Sequence, residues 1–299
     1  MYFFWLLFPL QAALPRLSIL ILTKKGSDHC AHVCQGVQLL LKKHKVALDF
    51  SKVDFDPGAP PDTQTIMHQN PDLIFTISSE PTQWAMENFP GTPILFSMMY
   101  NTDSVEYWIR KHGKTKGIFL NADAEKMVSV LKEIIPEIKE VGVLTSINSL
   151  NVLQEEWQPA ESRYAVRLCI ESIHSPTDFP DALNRIAAKC DVLYLGPDPL
   201  IMQPSLLKKA VLKGFSNHFF VFGESYGIVK NGAMLSFLYD IEEVIRLTTE
   251  LLEDYANTGE ISGLKNKRCE KFHLYYNKDV FEKLGLSVPQ SIRTKGKTA

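Results

Sequence analysis

The chain reads as an α/β protein of two doubly wound, Rossmann-like lobes with a ligand cleft between them. Three observations carry this reading. Short apolar runs rich in β-branched and aromatic residues recur at about 20–30-residue steps. Helical patterns fill the gaps between them, and the series restarts near the middle of the chain.

The first series of predicted strands begins at Leu17 (LSILIL), Val46 (VALDFSKV), Leu73 (LIFTI), Ile94 (ILFSM) and Lys116 (KGIFL). The second begins at Val141 (VGVLT), Val166 (VRLCIES), Val192 (VLYL), Phe219 (FFVF) and Met234 (MLSFL). Such near-continuous apolar runs fit parallel strands covered on both faces. Between them, Asp123 precedes a helical face of Met127, Val130, Leu131 and Ile134 that Pro136 closes. Asp240 and Glu243 have the spacing of a capping box. Behind them Ile241, Val244, Ile245, Leu251, Leu252 and Tyr255 form a stripe of helical period that stops at Thr258-Gly259.

At 299 residues, 45% of them hydrophobic and 22% charged, the chain can build two cores. A formal net charge of -2 supplies no basic field for nucleic acid. Arg293, Lys295 and Lys297 read as a solvated basic tail over 293–299, and Glu155-Glu156 as a solvated helix face. Five dispersed cysteines make no disulfide framework, although one bridge remains open. Cys30 and Cys34 share a helix face, but His32 points elsewhere and no second ligand cluster completes a metal site, so none is expected. Residues 1–13 (MYFFWLLFPLQAA) are too short to span a bilayer and fit the apolar part of a secretory signal, without its basic leader. Export is therefore expected, with an uncleaved anchor as the alternative.

In open α/β sheets ligands collect beyond the carboxyl ends of strands. The residues at those ends that suit ligand contact are Ser27, Ser78, Ser79, Tyr100, Ser146, Asn148, Asp198, Glu224, Ser225 and Tyr226. Hydroxyls and amides orient a ligand, and aromatic rings supply contact area. Helix starts near Ser27 and Ser79 aim N–H groups at a carboxylate, while Asp198 or Glu224 suits an amino group.

The end of the chain is the most specific stretch. Leu274-Tyr275-Tyr276-Asn277, a short helix from Lys278 to Phe281, and Leu284-Gly285-Leu286-Ser287-Val288-Pro289 follow one another. This pattern resembles ABC-transporter substrate-binding proteins of the type I periplasmic fold, in particular the branch with tryptophan- and tyrosine-binding members. Thr92 to Phe96, Ile135 to Val143, Ser146 to Ser149, Asp198 and Gly232-Ala233-Met234 resemble further family segments. Met99 to Thr102 and Lys114 to Ile118 depart from the family pattern near the cleft and hinge. The resemblance implies a three-crossover hinge, with lobe one at 15–119 and 226–257 and lobe two at 120–225 and 258–292. It also implies a monomer that hands a small-molecule ligand to permease subunits in the membrane, with no enzymatic activity.

Two alternatives stay open. Gly223-Glu224-Ser225-Tyr226-Gly227 satisfies the nucleophile-elbow pattern of serine hydrolases, although only four residues separate it from Gly232. A membrane-tethered sensing domain would follow from an uncut N-terminal run. No phosphate loop, dinucleotide fingerprint or zinc-protease motif occurs, so no cofactor is expected.

Overall fold

The computed structural model describes residues 16–298; the expected signal segment at 1–13 lies outside them. Lobe one begins as β1 (Leu17–Lys24), α1 (Asp28–Lys43), β2 (Leu48–Phe55), α2 (Thr63–Gln69) and β3 (Leu73–Ile77). It continues with α3 (Ser79–Asn88), β4 (Ile94–Met99), α4 (Asp103–His112) and β5 (Thr115–Phe119). Lobe two runs through α5 (Ala124–Ile134), β6 (Glu140–Ser146), α6 (Leu150–Tyr164), β7 (Arg167–Ile173) and α7 (Phe179–Ala187). Then come β8 (Val192–Leu195), α8 (Pro204–Asn217), β9 (Phe220–Gly223), α9 (Tyr226–Lys230) and β10 (Leu235–Tyr239). The chain closes with α10 (Ile241–Thr258), β11 (Lys267–Arg268), β12 (Phe272–Tyr276), α11 (Lys278–Lys283), α12 (Gln290–Lys295) and β13 (Gly296–Thr298).

The first sheet has the order β11-β5-β4-β3-β1-β2 and is parallel throughout. The second has the order β13-β12-β10-β9-β8-β6-β7, with β12 antiparallel to β10. Alternation along β1 explains its unbroken apolarity. Ile19 and Ile21 pack with α1 and α10, whereas Leu20 and Leu22 face Ile66, Ala85 and Phe89 on the other side. In the second sheet Val141 and Val143 join the core of α5 and α6, and Leu144 joins that of α7 and α8.

Helix α10 belongs to lobe one. Its Val244, Ile245, Leu251, Leu252 and Tyr255 share a core with Ile19 and Phe75. Close approach of α1 needs Gly36, where an added Cβ would sit 2.5 Å from Ile245 Cδ1. Asp240 caps α10 by accepting the Glu243 N–H at 3.0 Å. The capping box is only half formed, because the Glu243 carboxylate instead accepts from the Lys271 N–H and the Cys269 thiol.

Three strands of chain cross between the lobes side by side, at 120–123, at 240 and at 269–271. The Cys269 N–H donates to the Phe119 carbonyl at 2.9 Å, and the Asp240 N–H to the Lys271 carbonyl at 3.0 Å. The expected crossings at 226 and 258 are therefore corrected. Strand β10 pairs with β9 and β12 in the second sheet, so 226–239 stays in lobe two. Ile261 and Leu264 lie in the first core and β11 pairs with β5, so lobe one extends to Arg268. The basic tail exposes Arg293, Lys295 and Lys297, but it is not frayed: β13 adds to the second sheet beside β12.

Candidate functional site

The carboxyl ends of both sheets face one interlobe cleft. Its wide outer part, about 1500 Å³, is lined from lobe one by Ser79, Gln83 and Trp108, and from lobe two by Ser146, Asn148 and His174. Tyr100, Thr102, Ser149, Pro197 and Asp198 line this part and also a narrow inner chamber. The chamber adds Asn101, Asn121, Thr145, Glu156, Trp157 and Tyr194.

Backbone strain marks the lobe-one wall. Ser78, just after β3, has φ of 93°, and Met98 in β4 has φ of 59°. Non-glycine residues hold such angles at a cost of order 1–3 kcal/mol, which surrounding structure must offset. At β4 the register with β5 shifts between Phe96 and Met99, which brings Tyr100 and Asn101 to the chamber.

A polar cluster forms the chamber floor. The Asn101 N–H donates to Asn121 Oδ1 at 2.6 Å, and Asn121 Nδ2 donates to Glu156 Oε2 at 3.3 Å. Arg268, at the end of β11 just before the third crossing, binds the other Glu156 oxygen. Burial nonetheless pushes the Glu156 carboxyl above its ordinary value. The Asn101 Oδ1 atom is buried with no hydrogen-bond partner among the described residues. Beneath this cluster Glu224 is 5% exposed, accepting from the Tyr194 hydroxyl and, at 2.9 Å, from the Ala122 N–H. Burial pushes its carboxyl up to about 7. Trp157 packs on Tyr194 with ring centroids 5.1 Å apart, giving the chamber an aromatic wall.

Of the ten residues expected at the cleft, Ser79, Tyr100, Ser146, Asn148 and Asp198 line it. Both Asp198 oxygens accept backbone N–H groups, of Ser146 at 2.7 Å and of Leu200 at 2.9 Å, so this carboxylate pins two cleft loops together. Glu224 lies behind the wall. The Ser27 hydroxyl caps α1 and the Ser225 hydroxyl caps α9, each 3.3 Å from the N–H it accepts. Ser78, between β3 and α3, lines neither part of the cleft, and the half-exposed Tyr226 packs edge-on against Tyr275. The elbow reading is not favoured, since Ser225 caps a five-residue helix and lies outside both parts of the cleft.

Glu156 corrects the expected solvated face. Val152, Glu156 and Ala160 follow at helical spacing, and Val152 and Ala160 are buried. A carboxylate on a stripe with two apolar neighbours is the signal that could have found it. Glu155 alone is exposed. Among the described residues there is no group of three or more metal-ligating side chains, and no helix is long and apolar enough to cross a membrane.

The family model described as ABC transporter substrate binding protein matches residues 33–298. The chain belongs to this family. It is a solute-binding rather than catalytic class, and its members usually work outside the cytoplasm. No curated protein matches the chain. Among solved structures, the ligand-free, open form of a substrate-binding protein with adhesive properties from Clostridium difficile matches with TM-score 0.70 at 19% identity, covering 95% of this chain and 99% of that one. An ABC domain in complex with L-Trp from Streptococcus pneumoniae matches with TM-score 0.66 at 16% identity, covering 95% and 99%. A conserved domain protein from Vibrio cholerae gives TM-score 0.66 at 20% identity, covering 94% and 99%. These likenesses establish the type I periplasmic binding fold for this substrate-binding protein.

Proposed function

We propose that this substrate-binding protein captures a small amine-bearing solute in the interlobe cleft, with its amino group at the inner chamber, and presents it to the permease of an ABC importer without chemical turnover. The observation that carries the reading is the placement of Glu156 beside an aromatic wall in a chamber lined from both lobes. Glu156 stands there against one guanidinium, Arg268, and a second carboxyl, Glu224, is buried behind the wall. The free acceptor Asn101 Oδ1 lies in the same wall. A cluster richer in acceptors and negative charge than in donors favours an ammonium group. Tyr100, Trp157 and Tyr194 suit a planar or apolar body attached to it.

The outer cleft suits the other end of such a solute. Helix α3 starts at Ser79, and Ser78 leaves its first turn without a side-chain cap. Its N–H groups favour a carboxylate, so an amino acid or a close relative fits both ends. The L-Trp held by the pneumococcal neighbour accords with this class. A monomer acting outside the cytoplasm is part of the same reading.

Thermal-shift screening of amino acids, simple amines, carboxylic acids and sugars against the full chain tests it. A ligand at about 100 times its Kd adds about 2.7 kcal/mol to stability, so binders stand out. Stabilisation by zwitterionic amines supports the reading; stabilisation by sugars or simple acids alone overturns it.

A further inference from the structure

On the far side of lobe two from the hinge strands, β7 lies next to β6 at the edge of the sheet. There Cys169 on β7 is in register with Gly142 on β6. Cys190, in the turn before β8, sits directly over Gly142: a Cβ added there would meet Cys190 Sγ at 3.1 Å and Cys190 Cβ at 3.2 Å. Cys190 Sγ thus fills the space that the missing glycine side chain leaves, and Cys169, in register with Gly142, stands beside it on the same face. Cys169 also donates to Glu140 Oε2 at 3.1 Å, and Arg167 clamps that carboxylate with contacts of 2.8 and 2.6 Å.

Both thiols line a surface recess of about 790 Å³. Its other walls include Arg167, Arg185 and Lys189, with Glu171 as the one carboxylate. Cys190 is buried, while Cys169 is half-buried beside Arg167. The positions differ as an attacking and a resolving thiol would.

We propose that Cys169 and Cys190 are a redox site that forms an intramolecular disulfide by exchange with an anionic disulfide such as oxidised glutathione. In the first step the Cys169 sulfur attacks one glutathione sulfur. The S–S bond of glutathione breaks, one glutathione leaves as thiolate and takes up the Cys169 proton, and a Cys169–glutathione mixed disulfide remains. In the second step Cys190 sulfur attacks Cys169 sulfur, and the second glutathione leaves with the Cys190 proton. Two thiols are oxidised and one disulfide is reduced to two thiols. The product ties β7 to the α7–β8 turn and leaves the cleft untouched. Burial raises both thiols, and Glu140 raises Cys169 further while Arg167 partly offsets it, so exchange accelerates as the solution becomes alkaline.

The test incubates the folded full-length chain with oxidised glutathione at mildly alkaline pH, alkylates the remaining thiols and maps the peptides by mass spectrometry. The expected result is a Cys169–Cys190 cross-linked peptide, reversed by dithiothreitol, with Cys30, Cys34 and Cys269 recovered alkylated. Cys190→Ser should accumulate glutathione on Cys169, whereas Cys169→Ser should leave Cys190 unmodified. Oxidised glutathione should also react several-fold faster than the cationic disulfide cystamine. Recovery of Cys169 and Cys190 both alkylated, with circular dichroism unchanged, overturns the proposal. Equal or faster reaction with cystamine overturns its anionic class.

Discussion

The Asp103 carboxylate of lobe one grips Asn151 of lobe two, accepting its backbone N–H at 2.9 Å and its side-chain Nδ2 at 3.2 Å. The Val152 N–H reaches the other Asp103 oxygen at 2.8 Å. Ser149, the residue before α6, makes no side-chain cap of its own. Asp103 therefore caps α6 from the opposite lobe and satisfies donors that would otherwise need water. It is a latch across the cleft rim, and opening the lobes must break it.

Asp103→Ala should accordingly favour the open form by about 1–2 kcal/mol, the net worth of charge-assisted bonds exchanged for water. Small-angle X-ray scattering of the ligand-free protein reads this as a larger radius of gyration. Asp103→Asn, which keeps an acceptor, should lie between the two. An unchanged radius for the alanine variant would remove the latch.

Glu224 gives stability a defined pH slope. Its carboxyl is raised from 4.5 to about 7, chiefly by burial, with Glu156 adding repulsion and Tyr194, the Ala122 N–H and Arg268 opposing. A raised acid holds its proton longer when folded, so the folded state binds more protons between the two values. Stability must then fall as pH rises from about 4.5 to about 7, by up to about 3 kcal/mol, and level off above. Glu224→Gln should flatten that part of the curve. Urea midpoints measured across this range decide the matter, and an equal slope in both proteins would contradict it.

Packing of α10 on α1 depends on Gly36 having no side chain. Gly36→Ala should destabilise by about 1–2 kcal/mol, since its Cβ overlaps Ile245 Cδ1. Ile245→Val removes that methyl, so the double variant should cost less than the two single changes added together. Denaturant unfolding measures the coupling; simple additivity would mean that the helices shift freely.

Much of this was legible in the residues. LIFTI at β3 and VLYL at β8 announced strands buried on both faces, because no polar residue interrupts either run beyond one threonine and one tyrosine. The caps at Asp123 and Asp240 were equally plain, since an acidic residue before an apolar periodic stretch has few other uses. Lobe boundaries were harder. The run at β10 signals burial but not its partner, and pairing with β9 and β12 is a long-range choice. Glu156 escaped notice because local polarity around it outweighed its place between Val152 and Ala160. Ser225 and Tyr226 misled for the opposite reason: they follow a strand end, yet α9 turns them away from the cleft.

Glu156 carries the central claim, and its substitution tests it most directly. Titration calorimetry with the best stabilising amino acid or amine from the thermal-shift screen would compare the natural chain with Glu156→Gln. Loss of a charged hydrogen bond of about 1.5–3 kcal/mol predicts binding weaker by about 10- to 100-fold, with the fold intact. Equal affinity in the two proteins would contradict an ammonium group held at this carboxylate.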